Sequence, residues 1–91
     1  MLVFFTSRRS GPARRMESLL AHIARKERDT LAVKRVDVDE HPDIAARFRI
    51  AEVPVLALVK GKRVVATLEG RATAPTIESM LAPHVRGPAT A

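Results

Sequence analysis

Residues 7–16, SRRSGPARRM, set a small Ser10-Gly11-Pro12-Ala13 turn among four arginines and run straight into a segment of apolar periodicity. Upstream, Leu2 to Thr6 is short, aromatic and β-branched, which suits a buried strand. Downstream, Met16, Leu19, Leu20 and Ile23 recur at the three-and-four spacing of one helix face, with Ala24 beside them. Ser10 is placed to cap that helix, and Pro12 fits its first turn, where a missing amide is no loss. Lys26 and Arg28 suit its negative end, so helix one is expected to run to about Arg28.

Further along, Leu31 to Val38 reads as a second strand whose exit, Asp37 to Pro42, is acidic and turn-like. Pro42 then opens a short helix with Ile44 and Phe48 one turn apart. Val53 to Lys60 and Arg63 to Leu68 read as strands joined by Lys60-Gly61-Lys62, a hairpin signal that makes them antiparallel. Pro75 to Val85 repeats apolar residues at Ile77, Met80, Leu81 and Val85, giving a last helix that Pro83 is expected to kink or shorten. Residues 1–86 make one domain and 87–91 a frayed tail. The order β-α-β-α-β-β-α, with a right-handed first crossover, predicts an α/β domain: a four-stranded mixed sheet with helices on both faces.

Composition narrows the chemistry. Ninety-one residues without cysteine exclude disulfide frameworks, thiol catalysis and thiolate metal sites for the sequence as it stands. His22, His41 and His84 lack ligand spacing, and Asp37, Asp39, Glu40 and Asp43 read as turn and helix-start residues, so no metal or other cofactor is expected. The longest apolar stretch, Val53 to Val59, contains a proline and is too short to span a bilayer. The apolar start lacks a preceding basic region, so no cleavable signal is expected and the reading is a soluble, cytoplasmic protein. The net charge of +6 centres on the opening third, where seven cations face three anions. Nucleic acid is a poor fit to this charge, because Phe4, Phe5 and Phe48 are better used as core and leave no stacking platform.

Taken together, Arg9-Ser10-Gly11-Pro12-Ala13-Arg14 after a buried strand, and Val53-Pro54 before another some forty residues later, resemble thioredoxin. Thioredoxins carry Trp-Cys-Gly-Pro-Cys-Lys/Arg-Met in the first place and an Ile/Val-Pro-Thr strand with a lysine-glycine hairpin in the second. The similarity runs from about Leu2 to Val85, in a minimal form lacking the family's first strand and helix, with the strand at residues 31–38 left as an open edge. The resemblance implies a thioredoxin-like fold, a cis bond at Val53-Pro54 facing the Ser10–Ala13 turn, and a peptide-binding role for the backbone of Val53.

The departures are chemical. Ser10 and Ala13 stand where the resemblance places the two cysteines, Arg9 where it places tryptophan, and Phe4 where many members have a buried aspartate. Disulfide exchange needs an attacking thiolate and a resolving thiol. A serine without an adjacent base does not replace them. Two readings of the degenerate turn follow: a non-catalytic module that binds a protein or peptide segment at Ser10–Ala13 and Val53-Pro54, or an anion site ringed by Arg8, Arg9, Arg14 and Arg15 at the helix start. Arg14 and Arg15 lie about 100° apart on a helix and cannot both point there. The alternative is a disulfide oxidoreductase whose cysteines at positions 10 and 13 were replaced by engineering; the changes at Phe4 and Arg9 favour natural loss. As for assembly, the expectation is a monomer, or a weak homodimer through strand 31–38.

Overall fold

The computed structural model describes residues 1–85. The boundary expected at residue 86 and the tail at 87–91 lie outside them. Eight elements follow in order: β1 (Leu2–Thr6), α1 (Gly11–Arg15), α2 (Glu17–Lys26), β2 (Val33–Asp37), α3 (Pro42–Arg47), β3 (Val55–Lys60), β4 (Arg63–Glu69) and α4 (Ala74–Val85). One sheet has the order β2-β1-β3-β4. β1 runs parallel to β2, with Phe4 beside Arg35 and Thr6 beside Asp37. It runs antiparallel to β3, with Phe5 opposite Val55, and β3 pairs antiparallel with β4.

β1 is buried along its whole length, as a central strand between two layers must be. Its alternation divides the core. Leu2 and Phe4 face one side, packing with Leu20 and Ile23 of α2 and Ile77 and Leu81 of α4. Val3 and Phe5 face the other with Val55 and Ala57, under Ile44 and Phe48 of α3. Phe5 and Phe48 meet at 5.1 Å between centroids, tilted by 54°, an attractive aromatic geometry. Emptying one such site, as in Phe4→Ala, removes about 3–5 kcal/mol. Helices thus cover both faces, as the periodicities predict.

β2 spans Val33–Asp37, shorter than the expected 31–38, and three further boundaries move for local reasons. The single first helix is two, because the Met16 amide bonds back to Ala13 at 3.1 Å, an i→i−3 contact that tightens the turn between α1 and α2. α2 stops at Lys26, and the Glu27 carbonyl turns the chain by accepting from the amides of Thr30 and Leu31. β3 begins at Val55 rather than Val53, since Pro54 has no amide to give to a ladder. The hairpin closes through the two residues Gly61 and Lys62; Gly61 has φ +63°, the conformation glycine adopts most readily. α4 continues through Pro83 to Val85. Among the described residues no helix is long and apolar enough to cross a membrane.

Candidate functional site

The site is built at one end of the sheet, where β1, β2 and β4 finish and β3 starts. After β1, the Ser10 amide donates to the Ser7 carbonyl at 3.0 Å and closes a turn. Ser10 has extended dihedrals (φ −99°, ψ 111°), and its hydroxyl accepts from the Ala13 amide at 3.2 Å. It is therefore the N-cap of α1, with Pro12 in the first turn. Ala13 is fully buried, whereas Gly11, Pro12, Arg14 and Arg15 are exposed.

On the neighbouring strand, the Val53-Pro54 bond is cis. The Pro54 carbonyl accepts from the Gly70 amide at 2.9 Å, which ties the end of β4 to this bend, and Gly70 has φ +80°. Because Phe5 lies opposite Val55, the chain leaving β1 toward Ser10 and the chain entering β3 from Val53 emerge side by side. Among the described residues, neither the amide nor the carbonyl of Val53 is engaged in a hydrogen bond. A groove of about 310 Å³ adjoins this bend, lined by Phe48, Arg49, Ile50, Glu52, Thr67 and Glu69 among others.

Acids from the β2–α3 loop meet the arginines of the opening stretch. Arg8 donates to Glu40 at 2.9 Å and lies 3.9 Å from the buried Asp37 carboxylate. Arg9 donates to Asp39 at 2.8 Å, and the Ser7 hydroxyl donates to the other oxygen of Asp39. These hydrogen bonds, Arg9 first and then Ser7, hold the Asp39 carboxyl below its usual range, and the hydrogen bond and charge of Asp39 in turn raise the Arg9 guanidinium. Asp37 accepts from the backbone amides of Asp39 and Glu40 through one oxygen, which folds the loop toward Arg8 and Arg9. A recess of about 350 Å³ separates the two loops.

This arrangement alters the charge the sequence implies. Of the four arginines expected to ring the turn, Arg8 and Arg9 are neutralised in place, while Arg14 and Arg15 have no ion-pair partner among the described residues. α1 is also only five residues long before its interruption, which leaves a helix-start anion site with little to support it. Asp39, Glu40 and Ser7 were not singled out as site residues in the sequence. The signal was present, because a parallel β1–β2 pair sets the residues after Thr6 against those after Asp37. No cluster of three or more potential metal ligands occurs among the described residues.

Comparison with known proteins follows the same lines. A family model described as Thioredoxin matches residues 1–83. A thioredoxin from Alicyclobacillus acidocaldarius is 35% identical over 82 residues, covering 90% of this chain and 78% of that protein. A thioredoxin-like protein from Synechocystis is 33% identical over 81 residues, covering 89% and 74%. Thioredoxin 1 from Synechococcus elongatus is 29% identical over 85 residues, covering 93% and 79%.

Proposed function

This chain belongs to the thioredoxin family, and on that premise we propose that it binds an extended peptide segment at the junction of Ser10–Ala13 with Val53-Pro54 and releases it unaltered. Turnover by disulfide exchange is outside its chemistry as the sequence stands, since there is no cysteine to form a thiolate. The Ser10 hydroxyl is occupied as a helix cap, with no base beside it in the turn to make it a nucleophile.

The observation that carries the reading is the free main chain of Val53. An amide and a carbonyl left unengaged beside a sheet offer the two bonds by which an extended peptide adds on as a strand. Ser10–Ala13 and the loop after Gly70 stand on either side of that segment. No covalent intermediate prolongs the contact, so binding is weak and reversible.

The test leaves the protein untouched. An extended decapeptide is compared with the same peptide N-methylated at every second amide, in both phases. Backbone pairing is directional, so one phase abolishes the perturbation of the Val53 amide signal and the other keeps it. Equal binding by both methylated peptides removes the strand-addition reading.

A further inference from the structure

We propose that the segment accepted at this cleft is acidic, and that Arg71 is the residue that selects it; this deepens the peptide-binding reading and rests on it. The argument starts from which charges at this end of the sheet are already satisfied. Arg8 and Arg9 are held by Glu40 and Asp39, and those carboxylates are in turn consumed. Arg14 and Arg15, in the turn itself, are exposed and without ion pairs among the described residues.

Arg71 supplies a third free cation from the opposite side. It directly follows Gly70, whose amide is bonded to the Pro54 carbonyl, so its backbone is fixed next to the bend that presents Val53. It is exposed and makes no ion pair among the described residues. Glu52 and Glu69 both line the adjoining groove, with Arg49 as its one cation among the described residues, so selection of an acidic segment falls to Arg71 and the turn arginines rather than to the groove. An extended ligand bonded to Val53 therefore runs between the turn carrying Arg14 and Arg15, of which only one can face it, and Arg71 on the other side. Side chains of a strand alternate in direction, so carboxylates at every second ligand position meet these cations.

A polyanion of another class fits less well. Phe4 and Phe5 are buried, and Phe48 packs on Phe5, which leaves no exposed aromatic among the described residues on which bases could stack.

The experiment uses three capped decapeptides in which Thr alternates with Glu, Gln or Lys, titrated into isotopically labelled protein. The Glu peptide is expected to bind about five- to ten-fold more tightly than the Gln peptide at low salt, with the difference collapsing near 0.5 M salt. Its shifts should centre on Val53, Gly70, Arg71 and Ala72. In Arg71→Glu, an exposed change that leaves the core alone, the preference for Glu over Gln should shrink at least two-fold. Equal binding of the Glu and Gln peptides at Val53 overturns the acidic preference and leaves the peptide reading standing. Failure of every peptide to move Val53 overturns both. An unchanged preference in Arg71→Glu overturns the role of Arg71, and a single-stranded oligonucleotide that outcompetes the Glu peptide overturns the ligand class.

Discussion

Asp39 shows how much one residue can change the reading of a site. In the local sequence it is one acid of a turn; in the fold it accepts from Arg9 and Ser7 together and locks the β1–α1 loop to the β2–α3 loop. Its carboxyl is depressed below the ordinary value near 4, so ionised Asp39 favours the folded state. That contribution is complete above the unfolded value and is lost as pH falls through the lower folded value. Urea midpoints measured from about pH 5 down to 2 should therefore decline less steeply in Asp39→Asn than in the parent. A parallel decline in both would show that the latch contributes nothing. The group is solvent-accessible, and salt should flatten the difference further.

At the scale of elements, α3 ends on a feature that its sequence does not announce. Arg49 has φ +56°, and the Ile50 amide reaches back to the Ala45 carbonyl at 2.9 Å, so the helix terminates with a left-handed residue. Glycine is the usual occupant of that position because it has no Cβ to collide with the following carbonyl. Arg49→Gly should stabilise the domain by about 0.5 kcal/mol net, the relief of backbone strain being partly offset by the greater freedom of glycine in the unfolded chain. A melting temperature that falls instead would mean that the arginine stem, which lines the groove beside Val53, matters more than its backbone. The neighbouring elements were easier to read. β1, α2 and the β3–β4 hairpin follow from period and turn residues, since each pattern is local and each buried face is apolar. The split between α1 and α2 was not legible, because one amide choosing Ala13 over the residue before it leaves no trace in composition.

For the whole molecule, β2 is one of the two edge strands of the sheet, with exposed Lys34 and Arg35. Antiparallel pairing of two copies about a twofold axis sets residues of the same face opposite each other. The centred register puts Arg35 against Arg35, and the next puts Lys34 against Lys34, both unfavourable. The register that would oppose Arg35 to Asp37 calls on a carboxylate already buried in its own loop. The edge is thus guarded by charge, and Arg35 is further held by Glu17 across the strand–helix boundary. We propose that two copies of the chain do not pair through β2. Sedimentation should show the parent chain at the monomer mass and the Lys34→Val/Arg35→Val double variant associating with concentration. Dimerisation of the parent would overturn the guard.

The sequence by itself determined the order of the strands and of the helical segments between them, which faces are apolar, and that no thiol chemistry is available; these depend on covalent periodicity and on atoms that are present or absent. It also marked Ser10–Ala13 and Val53-Pro54 as the positions to watch. Tertiary structure alone decided which arginines remain free, because their partners lie thirty or more residues away and are brought up by strand register. Register likewise placed Gly70, and with it the start of the loop carrying Arg71, against Pro54 and left Val53 without a backbone partner among the described residues. A slip of one residue along a strand would turn every side chain to the other face, so charge pairing at this site is a property of alignment between distant segments rather than of any one of them.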